Sequence, residues 1–178
     1  DLAEVAQIQS GRVSLHRVPC DLVEIVGEVV EEQQLAWPNR RLDLRLPEQA
    51  VAVEADRDRI GQVVTNYLTN ALKYAPADRP IEISLSREVD QARVQVHDQG
   101  PGLSPAEQER IWQRFYRLPG APAEQEAGGN LGMGLYICRS LITQHGGQTG
   151  VDSTPGAGAT FWFTLPLDRA SASSPTSR

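Results

Sequence analysis

The strongest constraint on this chain is one long amphipathic stretch, residues 57–74, set between short runs that alternate polar and apolar residues. At about 100° per residue, Ile60, Val63, Val64, Tyr67, Leu68, Ala71 and Leu72 fall on a single stripe. A helix with one apolar stripe must bury it against a second layer. The alternating runs at residues 81–85 and 93–96 supply that layer as paired strands.

The flanking segments extend the pattern. Leu2, Val5 and Ile8 lie at helical spacing and stop at Ser10-Gly11, as at the end of a helix. Residues 13–18 alternate until Pro19, and Asp21 then caps a helix through Leu22, Ile25, Val26, Val29 and Val30. Residues 41–46 and 51–53 read as short strands. Ser104-Pro105-Ala106-Glu107 is a capping box with proline at the first helical position, predicting a short helix that carries Ile111, Trp112 and Phe115. Residues 118–131 have no periodicity and read as a long loop. A last helix spans residues 132–145, through Leu135, Cys138, Leu141 and Ile142, and strands follow at 148–151 and 160–165. Helices and strands are mixed without strict alternation, so the expected class is α+β: a two-layer sandwich with a mixed sheet of about five to seven strands on about three helices.

Composition bounds the function. The 178 residues suffice for one core, and 17 Lys+Arg against 23 Asp+Glu, a net charge of −6, oppose a general nucleic-acid binder. No apolar run approaches the roughly 20 residues needed to span a bilayer, so no direct membrane contact is expected. Cys20 and Cys138 lie far apart in apolar stretches and read as core thiols of a reducing, cytoplasmic compartment. The chain begins at Asp1 and its one methionine is Met133. The expected organisation is the end of an upstream helix and linker at 1–12, one domain at 13–167, and a disordered Ser/Ala-rich tail at 168–178.

Three segments carry candidate chemistry. Asn66, Asn70 and Lys73 run along the edge of the long apolar stripe. Asparagine is costly in a helix interior, and its amide oxygen is a hard ligand suited to Mg²⁺. Lys73, the one lysine of the chain, could reach phosphate as a point charge. Two surface asparagines on an ordinary helix are the alternative. Asp98-Gln-Gly100-Pro-Gly102 places a carboxylate after a strand and before two glycines that permit close approach of a ligand. A simple Asp/Gly turn would look the same. Gly128-Gly-Asn130-Leu131-Gly132-Met-Gly134-Leu135 opens a helix, where free N–H groups and the helix dipole favour an anion, unless it is only a flexible linker. Neither a P-loop nor a Gly-x-Gly-x-x-Gly after a strand is present.

These segments in this order, followed by Gly156-Ala-Gly158-Ala-Thr160-Phe161, resemble the ATP-binding catalytic domain of sensor histidine kinases, within the wider family of gyrase, Hsp90 and MutL ATPases with the Bergerat-type fold. They match its asparagine box and its glycine boxes, and Arg114-Phe115-Tyr116-Arg117 matches its phenylalanine box. The resemblance implies ATP and Mg²⁺ as cofactors, with Asn70 and Asn66 holding Mg²⁺ and Lys73 and Arg117 contacting phosphate. Tyr74 would pack on adenine and Asp98 would read its amine. Gly100 and Gly102 would shape the base pocket, Phe115 would belong to the site, and residues 118–131 would form a lid. Leu131, Gly132, Gly134 and Leu135 would lie at the phosphates, and Thr160 would close the pocket from a strand. Asn130 and Trp112 depart from the family's usual glycine and phenylalanine.

The hydrolysing relatives carry a glutamate where this chain has Asn66, and an amide cannot serve as a general base. The resemblance therefore implies transfer to an outside histidine, on an upstream dimerisation hairpin of the same parent protein, and a cognate response regulator as the next partner. None of the three histidines sits in an acceptor sequence: His16 and His145 read as structural, the latter as a favourable cation at a helix end, and His97 as a neighbour of the pocket. A serine kinase of anti-sigma-factor type and a non-catalytic nucleotide sensor are the alternatives on the same fold.

Overall fold

The computed structural model describes residues 2–119 and 132–169. In chain order the elements are α1 (Leu2–Gln9), β1 (Val18–Asp21), α2 (Leu22–Ala36), β2 (Leu42–Arg45), β3 (Ala52–Ala55), α3 (Arg57–Tyr74), β4 (Ile81–Arg87), β5 (Gln91–Asp98), α4 (Pro105–Arg110), α5 (Gly134–Gln144), β6 (Thr149–Ser153) and β7 (Ala159–Pro166). The five-stranded sheet runs β2-β4-β5-β7-β6, with β2 parallel to β4 and the other pairs antiparallel. A separate two-stranded ribbon pairs β1 with β3. This is the expected two-layer α+β sandwich.

Strand alternation builds the core. Ile81 and Ile83 of β4, Val94 and Val96 of β5, and Phe163 and Leu165 of β7 are all buried on one face. The stripe of α3 packs there beside the apolar faces of α2 and α5. Tyr67 lies fully buried at the centre, its hydroxyl donating to the Trp162 carbonyl at 3.2 Å and its ring edge-on to Phe163. That hydrogen bond offsets the cost of burying a phenol.

The helices start and stop where the sequence supplies caps. The Asp21 carboxylate accepts the Val23 and Val51 N–H groups, joining the start of α2 to the loop before β3. Asp56 caps α3 by accepting from Arg59 and, with its other oxygen, holds the His16 N–H. Arg40 donates to the Leu72, Ala75 and Pro76 carbonyls at the far end of the same helix. α1 ends with Gly11 at φ +66° and rests on α3, where the Arg59 guanidinium and the Gln62 amide both donate to Glu4.

Two expectations are corrected. The first strand is not residues 13–18, which are irregular, but Val18–Asp21, which includes Pro19. The ribbon has one partner only, so a residue without an N–H is tolerated on its open side. The capped helix α4 ends at Arg110, before Ile111, Trp112 and Phe115; burial of Ile111 and Trp112 in the core takes the chain out of the helix.

His145 is a buried junction and not a cation. Its Nε2 accepts the Asp56 N–H at 3.0 Å, which places the proton on Nδ1, donating to the Leu141 carbonyl at 2.7 Å. Burial, with Arg17 nearby, lowers the ring's proton affinity below the ordinary histidine value near 6.5. The unfolded chain then binds a proton that the folded chain refuses. The stabilisation is complete above that ordinary value and is lost as the pH falls through the lower folded-state value. Urea unfolding should show stability declining below about pH 6.5, with a shallower decline in His145→Gln. Equal slopes would contradict a neutral ring.

Candidate functional site

A cavity opens where the C-terminal half of α3, the end of β5, the start of β7 and the N-terminus of α5 meet. Asn70, Lys73 and Tyr74 reach it from α3, and Asp98, Pro101, Gly102 and Leu103 from β5 and the turn after it. Ile111, Tyr116, Arg117 and Leu118 line it from the segment after α4. Gly132, Gly134 and Leu135 close it from the start of α5, and Ala159 and Phe161 from β7.

The closed end combines a carboxylate with apolar walls. Asp98 is 5 % exposed, on the inner face at the last position of β5. One oxygen accepts the Gly100 N–H at 2.8 Å. Burial raises its carboxyl above the usual carboxylate range, opposed by the Gly100 N–H, His97 and the Ala159 N–H. Leu103, Ile111 and Phe161 line the same cavity, and Trp112 packs edge-on to Phe161 with the Arg139 guanidinium over the Trp112 ring. A flat polar ring with an exocyclic N–H donor satisfies such a slot: its faces meet apolar groups and its edge meets the carboxylate.

Two backbone segments cross beneath this slot. A Cβ at Gly158 would lie 2.0 Å from the Asp98 carbonyl oxygen, and one at Gly102 would lie 2.4 Å from the Thr154 carbonyl oxygen. Both glycines have φ above +70°. Ser153 fastens the crossing, donating to the Gly158 carbonyl and accepting the Leu103 N–H, while the Gln108 amide donates to the Leu103 and Ser153 carbonyls.

The other end is cationic. Lys73 and Arg117 both line it, and burial first and Arg117 second lower the Lys73 ammonium below its ordinary range. Gly134 begins α5 there, after Met133, whose side chain does not cap the helix, so the first N–H groups keep their capacity for an anion. The donor set fits a purine nucleotide with its phosphates: a base-edge acceptor at the closed end, cations and helix N–H groups at the open end, and a neutral amide, Asn70, between them.

The expected residues are brought together in the main. Asn70, Lys73, Tyr74, Asp98, Gly102, Arg117, Gly132, Gly134 and Leu135 line the one cavity, and Gly100 supports Asp98 from behind. Three expectations are corrected. Asn66 does not line the cavity; its amide donates to the Cys138 thiol of α5 at 3.4 Å, between the helices. Phe115 is 58 % exposed at φ +63°, and Tyr116, Arg117 and Leu118 face the cavity in its place. Thr160 points to the opposite face of the sheet, where its hydroxyl meets His97 Nδ1 at 2.9 Å; strand alternation turns Ala159 and Phe161 inward. Leu131 and most of the expected lid lie outside the described residues. Pro101, Leu103, Ile111 and Ala159 carried no chemical signal in the sequence, but Phe161 could have been found from the period-2 pattern of β7.

Residues 55–169 match the family described as histidine kinase-, DNA gyrase B-, and HSP90-like ATPase. The adaptive-response sensory kinase SasA of Synechocystis sp. is 33% identical over 172 residues, covering 95% of this chain and 44% of that protein. The chain thus spans less than half the length of this relative. Among solved structures, the mycobacterial sensor histidine kinase MprB superposes with a TM-score of 0.71 at 25% identity, covering 85% of this chain and 97% of that one. Full-length ShkA, in complex with AMPPNP, superposes with a TM-score of 0.79 at 26% identity, covering 93% of this chain and 34% of that one.

The crossing gives a test independent of any ligand. Gly102→Ala combines a positive φ with a backbone clash, so urea unfolding should show a loss of at least roughly 1 to 3 kcal/mol. Gly156→Ala, with positive φ and open space around the new carbon, should lose less. Equal losses would remove the crossing as the cause.

Proposed function

This chain belongs to the histidine kinase-, DNA gyrase B-, and HSP90-like ATPase family, and from that membership we propose that it is the nucleotide-binding kinase domain of a sensor histidine kinase. It holds Mg-ATP and passes the γ-phosphoryl group to a histidine on a helical hairpin outside this chain, from which a response regulator takes it. One observation carries the choice of transfer over hydrolysis. Among the described residues lining the cavity the one acid is Asp98, at the closed end, so none at the cationic end can activate water.

In this reading Asp98 accepts the adenine amine, Tyr74 and the apolar walls hold the ring, and Lys73, Arg117 and the start of α5 hold the phosphates. Asn70 would hold Mg²⁺, which when bound would supply positive charge against the phosphates. Asn66 fixes α3 to α5 through Cys138. No helix among the described residues is long and apolar enough to cross a membrane. In this reading the domain works on the cytoplasmic side, where ATP is supplied.

Calorimetric titration with a non-hydrolysable ATP analogue tests the pocket. Asp98→Ala should weaken binding by roughly 1.5 to 3 kcal/mol, the worth of a charge-assisted hydrogen bond. The raised carboxyl adds a pH signature: the ionised form is the acceptor, so affinity should decline on acidification sooner than for an ordinary aspartate, and Asp98→Asn should remove that decline. Undiminished binding by Asp98→Ala would overturn the assignment. Asn70→Ala should abolish the gain in affinity that Mg²⁺ gives; an equal loss with and without Mg²⁺ would remove Asn70 as a ligand. Transfer itself is tested by adding the hairpin with labelled Mg-ATP, and bound nucleotide without labelled histidine would refute it.

A further inference from the structure

Sixteen of the seventeen Lys+Arg residues are arginine, and the single lysine lines the nucleotide cavity. Amine chemistry on side chains of this domain is therefore confined to one atom, the Lys73 Nζ. That atom shares the open end of the cavity with Arg117 and the uncapped N-terminus of α5, the groups that attract phosphate. Among the described residues no carboxylate pairs with it.

We propose that Lys73 is a modification site, acylated by acyl phosphates whose phosphate docks where the phosphates of the nucleotide bind. The inference rests on the nucleotide reading of the cavity. An acyl phosphate carries on one small molecule the anion that this end of the cavity recognises and the activated carbonyl that an amine attacks. The neutral Nζ attacks the acyl carbon, a C–N bond forms, the C–O bond to phosphate breaks, and the proton shed by nitrogen leaves with the released phosphate. Partial burial and the neighbouring guanidinium raise the share of neutral amine at a given pH. Arginine cannot substitute, since its guanidinium stays protonated. The product is an uncharged amide that fills the cavity mouth and removes a cation from the phosphate site, so the modification switches the site off and bound nucleotide protects it.

The experiment treats the chain with acetyl phosphate and follows acetylation by peptide mass spectrometry, with free Nα-acetyl-lysine added as internal reference. Lys73 should label faster than the reference with acetyl phosphate, and inorganic phosphate should suppress the difference. An acetyl ester without phosphate should show no such preference. Arg117→Ala should slow Lys73 labelling by about tenfold while the reference is unchanged, as expected when a docking contact is lost. Lys73→Arg, folded by circular dichroism, should label at the reference alone. Equal preference with both donors, or no effect of Arg117→Ala, would overturn the proposal. Calorimetry on the same samples separates the two readings. An analogue that binds yet leaves labelling undiminished refutes the acylation site. An analogue that does not bind, beside labelling that inorganic phosphate still suppresses, refutes the nucleotide reading and supports the acylation site.

Discussion

The cavity exists because two stretches of main chain pass closer than any side chain permits. The turn after β5 and the hairpin between β6 and β7 meet at Gly102 and Gly158, where a single methyl group would collide with a carbonyl oxygen. This crossing sets the position of Asp98, because the Gly158 carbon lies against its main chain. It also fixes Leu103 and Ala159, which form the walls. Ser153 and Gln108 hold the strands of the crossing with hydrogen bonds that neither segment could supply alone. A side chain at Gly158 would press on the Asp98 main chain, and one at Gly102 would press on the Thr154 carbonyl.

Around that fixed floor the charges are sorted by depth. The acid lies deep, where burial makes a carboxylate costly despite the Gly100 and Ala159 N–H groups, and makes a further N–H donor from a ligand welcome. The cations lie at the mouth, where water still screens them and where Lys73 and Arg117 disfavour one another until an anion arrives. Both ends are therefore poised for a partner with a donor edge and an anionic tail, and each penalty is relieved by a different part of the same molecule.

Much of this was legible in residue order. The stripe on α3 marked the whole helix because its seven apolar residues follow one period without interruption. Asp98 before two glycines looked by itself like a simple turn, and it stood out only in order with the asparagine segment and the later glycines. What was hidden depends on rotation and on distant partners. Asn66 and Asn70 are one turn apart, but which of them meets the cavity is decided by the packing of α3 on α5, and the Cys138 thiol claims the first. Thr160 and Ala159 are adjacent, and the alternation that turns Phe161 inward turns Thr160 to the other face, where His97 of β5 meets it. The role of His145 was legible as structural, but its charge state was not, since the Asp56 N–H that it accepts is contributed from 89 positions away.

The hold of Glu4 on Arg59 and Gln62 ties α1 to the first turns of α3, and the last turns of that helix carry Asn70, Lys73 and Tyr74. Eighteen residues of unbroken helix measure about 27 Å. Such a rod does not bend easily under small loads, and its core stripe resists sliding. The same seven buried residues hold its rotation about the axis, so the setting fixed at the Glu4 end is kept at the amide and the ammonium at the other. The helix is thus a spacer that holds the Glu4 contacts and the cavity mouth at one separation.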